Sequence, residues 1–343
     1  MIRLGPLCTS LLTLFIASYL SQSPAEGPYR VLRTAKVGGE GGFDYVYADS
    51  TGRRLYVART GSTQRISVFD LDTLQPAGTI PDISAHGVAV DAQSHHGFAT
   101  SKPVVMFDSE TLKILSTIDV QGNPDGMLFD PFNRRIYILS HAAPNATVID
   151  AATGSVLGTI DLGGAPEEAA TDGKGHLYVD IVDKDNVAVV DAKTMQVTAH
   201  YGLGENKTPA GLAFDAKNHV LFVECRNPAV SVIMDARDGK IITTLPIGTG
   251  VDGASFLPET KEAFSSQGDG TLTVIKESSP TAFEVEQTVK TMPSAKTMTI
   301  DSKTKHVLLI AAEFGAPPAA EPGQRPRRGP MAPGSFTILE VGK

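Results

Sequence analysis

Short apolar runs that end in aspartate recur along the chain. They are YVYAD to Asp49, GVAVD to Asp91, GMLFD to Asp130, EAATD to Asp172, GLAFD to Asp215 and TMTID to Asp301, with GASFL ending at Leu257 in the corresponding place. Each lies 39–44 residues after the one before it. A polar turn and a second run follow each time: RRLYVAR, HHGFATS, RRIYILS, GHLYVDI, HVLFVEC, KEAFSSQ and KHVLLIA. A third run comes next (ISVFD, VVMFD, ATVID, VAVVD, VSVIM, LTVIK, SFTILE), and then a fourth (AGTIPDI, LSTIDVQ, LGTIDLG, VTAHYGL, ITTLPIG, EQTVKTM). Alternation and β-branched residues predict strands, and helical periodicity is hardly visible. Four strands in a repeat of about forty residues predict an all-β, seven-bladed propeller of four-stranded antiparallel blades. Blades two and six carry the least regular strands.

Seven units have only six fourth strands. The opening stretch VLRTAKVGGE at 31–40 matches VLGTIDLGGA at 156–165, a fourth strand, although it precedes every repeat. It is therefore expected to pair with SFTILE near the far end of the chain and close the ring. Closure replaces exposed edge amides and carbonyls with ladder hydrogen bonds. The strand-end aspartates read as turn residues, because Asp bonds the backbone two residues on. The aspartates at 70, 108, 150, 191 and 235 read the same way, with Gly154 and Gly239 supplying positive φ.

The stretches LYVAR at 55–59, IYILS at 136–140, LYVDI at 177–181 and LFVEC at 221–225 carry a further likeness. So do VFDLDTL at 68–74, VIDAATG at 148–154 and VVDAKTM at 189–195. With these the sequence resembles the YVTN-type β-propeller repeat family, the group that contains the exported, YncE-like bacterial propellers. The resemblance covers roughly residues 29–343 and implies the propeller fold. The absence of Trp excludes a WD-type repeat and speaks against the Trp-docked blades of pyrroloquinoline quinone dehydrogenases. No Cys-x-x-Cys-His is present for covalent haem.

Residues 1–25 read as a signal peptide: Arg3, an apolar run from Leu11 to Leu20, then Ser23 and Ala25 at the small positions before cleavage. The run is short for a membrane span, so no stable membrane anchor is expected. The expected product spans 26–343, periplasmic or secreted, and monomeric. Its net charge moves from −8 to −9, which disfavours nucleic acid and anionic membrane as partners. Cys225 is then the only cysteine, so no internal disulfide is available; its place in a strand reads as a buried, inert thiol.

In a propeller the residue just before each inner strand faces the channel mouth. Counting back from the strand ends gives Asp44, His86, Asp125, Glu167, Ala210, Asp252 and Lys296, with Glu168 as the alternative to Glu167. The loops between second and third strands add Arg59, Lys102, His141, Asp183, Arg226, Gln267 and Glu313. His86, Asp125, His141 and Glu167 come from consecutive blades, and they make a divalent metal (Ca²⁺ or Zn²⁺) conceivable. In the competing reading these groups pair with one another, for instance Lys296 with Asp44 or Asp252. His95, His96, His176, His219 and His306 sit at the opposite edge, and His200 at the periphery, where surface roles are expected. No Gly-x-Ser-x-Gly or His-Glu-x-x-His is present, and the catalytic residues stay unknown.

The last blade carries an insertion, GAPPAAEPGQRPRRGPMAPG at 315–334, half Pro and Gly. Such a stretch does not form ladder strands. It is expected to leave the mouth-bearing face as a solvated loop, with Arg325, Arg327 and Arg328 open to a role as a docking arm or partial lid. The first functional expectation is an exported, non-catalytic propeller that binds a small molecule or exported protein partner at its mouth. The alternatives are a metal-dependent hydrolase, lactonase or lyase at the same mouth, and an accessory subunit of an electron-transfer enzyme, similar to the propeller chains of quinoprotein amine dehydrogenases.

Overall fold

The seven repeats become seven four-stranded antiparallel sheets in the computed structural model, which describes residues 27–61, 64–317 and 329–343. The expected signal segment and Arg325, Arg327 and Arg328 lie outside the described residues. Among the described residues there are 28 strands and no α-helix. Numbered in chain order, the innermost strands of the seven blades are β2 (Gly42–Asp49), β6 (Val88–Asp91), β10 (Pro124–Asp130), β14 (Pro166–Thr171), β18 (Lys207–Asp215), β22 (Val251–Leu257) and β26 (Met298–Asp301). Each blade buries the alternating apolar side of its sheets against both neighbours. The result is seven apolar clusters, one at each junction between blades. Leu308, Ile310 and Phe336 of the last blade, for example, pack with Leu55, Val57 and Phe69 of the first.

The ring closes through its ends. Strand β1 (Arg30–Lys36) pairs antiparallel with β28 (Thr337–Gly342), so that Ala35 lies opposite Ile338 and Arg33 opposite Glu340. Arg33 Nε donates to Glu340 at 2.7 Å. Just before β1, Tyr29 is buried edge-on against Phe264 of the sixth blade, ring centroids 5.2 Å apart. The Tyr29 hydroxyl donates to Glu262, and Lys343 Nζ reaches the same carboxylate at 2.9 Å. Both ends of the propeller thus converge on one buried acid. Burial pushes Glu262 up, but hydrogen bonds from Thr260, Tyr29 and Lys343 outweigh it and hold the carboxyl down at about 2.

The hairpin face is built from local aspartates, as expected. Asp49 Oδ1 accepts from the N–H groups of Thr51 and Gly52 at 3.1 and 2.9 Å. Asp91, Asp130, Asp172, Asp215 and Asp301 cap the backbone two residues on in the same way. So do Asp108, Asp191 and Asp235 in the outer hairpins, and Asp150 caps the N–H three residues on. Gly154, at φ +73°, closes one such turn where a side chain is strained. Arg53 ties the first blade to the seventh through Asp301 at 2.8 Å.

Blade two has the shortest strands, four or five residues each. Blade six pairs along strands of six to nine residues each, and its ladders shift register between Val251 and Ala254, Val274 and Ile275, and Glu277 and Ser279. The polar run Ser265–Ser266–Gln267 is wholly buried, and it bonds within itself and to the start of blade seven. Gln267 donates to Ser265 Oγ at 2.8 Å, and Ser266 Oγ to the Lys296 carbonyl at 2.5 Å. At the base of the insertion, Phe314 bridges to Met331, and Gly315 N–H donates to the Pro330 carbonyl at 2.8 Å.

Candidate ligand site at the channel mouth

Five innermost strands share one irregularity. Pairing with the second strand skips from Phe43 to Val46, Pro124 to Met127, Pro166 to Ala169, Pro209 to Leu212 and Val251 to Ala254. Two residues there oppose one, which is a β-bulge, and a bulge re-aims side chains out of the pleat. The bulged pairs are Asp44–Tyr45, Asp125–Gly126, Glu167–Glu168, Ala210–Gly211 and Asp252–Gly253. In blades two and seven the ladder begins only after His86–Gly87 and Lys296–Thr297. Each expected mouth residue therefore lies where regular pairing stops.

The charged members join side to side. His86 Nδ1 lies 2.7 Å from Asp44 Oδ2 and 3.3 Å from Asp125 Oδ1. His141 Nε2 lies 3.2 Å from Asp125 Oδ2 and 3.2 Å from Glu167 Oε2. Arg226 stands 3.6 Å from Glu167 Oε1 and pairs directly with Asp252, which also receives Lys296. The arc runs Asp44, His86, Asp125, His141, Glu167, Arg226, Asp252, Lys296, and all seven blades contribute. Its acidic and basic groups alternate through all eight members. Between its ends, Thr297 Oγ1 donates to the Asp44 carbonyl at 3.1 Å.

These contacts set the charges. The Asp44 hydrogen bond raises the His86 pKa against the opposing effect of burial, and the Glu167 hydrogen bond does the same for His141. Burial raises Asp125, and the neighbouring Asp44 charge adds to it. Burial also pushes Asp252 up to about 6, although Lys296 and Arg226 pull the other way. Glu167 is pushed up by burial, but His141, Arg226 and Lys296 outweigh this and leave it below its ordinary value.

Of the second residues of these seven pairs, four are glycine: Gly87, Gly126, Gly211 and Gly253. A Cβ on Gly126 would stand 2.8 Å from the Glu167 carbonyl oxygen, so this position admits no side chain without a shift. The space left is taken by Tyr45 and Glu168, which line an axial cavity of ≈ 170 Å³ with Met127, Leu139, Leu212 and Met298. The Tyr45 hydroxyl donates to the Glu167 carbonyl at 3.3 Å, and Glu168 Oε2 accepts from Leu212 N–H at 3.0 Å. Glu167 is thus the mouth residue and Glu168 the channel residue.

Two further acids behind this wall were missed by counting back from strand ends. Asp180 accepts from Glu168 N–H at 2.6 Å, and Glu224 accepts from Ser231 Oγ at 3.0 Å. Both are fully buried, and burial pushes them to about 7 and about 8. Their signal was available: LYVDI and LFVEC place an acid where LYVAR and IYILS carry Ala58 and Leu139.

Other expected mouth residues lie apart from the arc. Arg59 is 1% exposed, donates to the carbonyls of Gly42 and Glu40, and stacks 3.9 Å over Phe336. Burial and then the Arg65 charge lower it to about 10. Lys102 donates to the Gly122 carbonyl, and Asp183 caps Ala165 N–H at 2.7 Å. Gln267 and Ala210 are buried. Cys225 is buried as expected, and burial raises its thiol pKa far above the ordinary value.

Fold and mouth together define a seven-bladed β-propeller with a charged, seven-blade arc over a narrow axial cavity. No family model matches the chain, and no curated protein matches it at a significant level.

Proposed function

We propose that this is an exported, non-catalytic β-propeller of the YVTN type that binds a ligand or a protein partner at its channel mouth. One observation carries the reading: eight charged side chains from all seven blades converge on one face. A fold stabilised by apolar clusters between blades does not require them. Converging polar groups over a preformed cavity are the usual form of a recognition site. The signal-like segment 1–25 supports export.

The test is a thermal-shift screen with amino acids, sugars, sugar acids and phosphate in EDTA, followed by pull-down from a periplasmic extract. A ligand or partner should be retained by wild type and by the rear-face variant Lys193→Glu, and lost by the mouth variant Arg226→Glu. Retention by the mouth variant would place recognition elsewhere.

A second reading, a metal-dependent hydrolase or lyase, is favoured by one specific feature. Asp125, His141 and Glu167 hold their donor atoms within 4.8 Å of one another.

A further inference from the structure

Within the arc, one imidazole is placed differently from the rest. His141 Nε2 is equidistant, at 3.2 Å, from Asp125 Oδ2 and Glu167 Oε2. A single N–H points at one acceptor, and charge-assisted N–H···O bonds run about 2.7–2.9 Å. The contact of His86 with Asp44, at 2.7 Å, has that form; the contacts of His141 do not. Bonds of about 2.0–2.2 Å to a shared tetrahedral cation place neighbouring donor atoms roughly 3.3–3.5 Å apart. The spacing around His141 is close to that edge length.

The two carboxylates are also held from behind. Asp125 presents Oδ2 to His141 while its Oδ1 faces His86, which Asp44 fixes in turn. Glu167 presents Oε2 to His141 while its Oε1 faces Arg226, which Asp252 fixes. Each candidate ligand oxygen thus has its partner oxygen oriented by a basic outer group, the arrangement that tunes metal sites.

We propose that Asp125 Oδ2, His141 Nε2 and Glu167 Oε2 bind one divalent first-row transition cation at the channel mouth, with His86 and Arg226 as its outer shell. Two carboxylates neutralise the ion's charge. An imidazole nitrogen among three donors suits Zn²⁺ better than Ca²⁺, which takes 6–8 oxygens. His141 remains 42% exposed on its side chain, so the remaining coordination positions face the mouth and are open to water or a ligand. The site goes beyond a binding mouth and does not depend on that reading, because the ligand screen above is run in EDTA.

The test is calorimetry with Zn²⁺ on the purified full chain after EDTA treatment and desalting. Wild type should bind one equivalent of Zn²⁺ and show no comparable site for Ca²⁺. His141→Gln and Glu167→Gln should lose the site, and His86→Gln should weaken it about 10–100-fold. His176→Gln, on the opposite face, should bind like wild type. A measurement on wild type alone avoids any folding defect of the variants: Zn²⁺ should shift the ¹⁵N resonances of the His141 ring and leave those of His176 in place. Absence of stoichiometric Zn²⁺ binding, or an unmoved His141 ring, would overturn the proposal.

Discussion

The two faces of the ring use aspartate in opposite ways. On the hairpin face each Asp binds the backbone two or three residues on, as Asp49 binds Thr51 and Gly52. On the mouth face Asp44, Asp125 and Asp252 bind side chains 16–44 residues away, on the same or a neighbouring blade. On the hairpin face Asp108, Asp191 and Asp301 are pulled below their ordinary pKa, while burial raises Asp130. Asp125 and Asp252 are raised above theirs. One face stabilises the fold. The other holds carboxyls in a state they would not choose, as functional sites do.

The largest expected effect removes the support common to both faces. Deleting residues 26–40 strips β1 and Tyr29, exposing β28 as an edge and leaving a hole against Phe264. Urea unfolding should show a loss of more than about 4 kcal/mol, since truncating one buried aromatic alone costs about 3–5 kcal/mol. A truncated chain that unfolds like the intact one would mean the ring does not need its closing strand.

Next come single carboxylates, one from each face. Asp301→Ala removes the partner of Arg53 and the acceptor for Lys303 N–H and Thr304 Oγ1. It should cost about 2–4 kcal/mol. Asp125→Asn keeps the shape, relieves repulsion with Asp44, and should be neutral or stabilise by up to about 1 kcal/mol. Equal costs at the two sites would erase the contrast.

A smaller effect lies in pH dependence. The folded pKa of Asp301 is depressed, so its contribution is complete above the ordinary carboxylate range and fades as pH falls toward the folded value. The folded pKa of Asp125 is raised, so the folded state gains from it at low pH and loses that gain as pH rises from about 4. Between pH 3 and 7, chemical denaturation should show Asp301→Asn flattening the acid side of the stability profile. Asp125→Asn should instead remove a decline toward neutral pH.

The fold was legible because repetition shows through degenerate strands, and the closing strand because its residues copy a fourth strand elsewhere. Blade six reads as degenerate because Ser265, Ser266 and Gln267 look unlike a buried strand; in the fold they bond one another and nearby carbonyls, and the register of the blade shifts in its first and last ladders. At the mouth, counting back from the aspartates reached Asp44, His86, Asp125, Glu167, Asp252 and Lys296. The count could not separate Glu167 from Glu168, since a two-against-one bulge breaks the alternation on which counting relies. Arg59 and Arg226 both lie near the ends of second strands, yet Arg59 stacks on Phe336 of the last blade, a contact 277 residues away in sequence.

The most direct test of a mouth coupled across blades is an NMR titration of the histidine rings in EDTA. The account predicts that His86 and His141 both titrate above 6.5 and that Asp125→Asn lowers both together, because the two rings share that carboxylate. Ordinary values in wild type, or rings indifferent to the substitution, would contradict it.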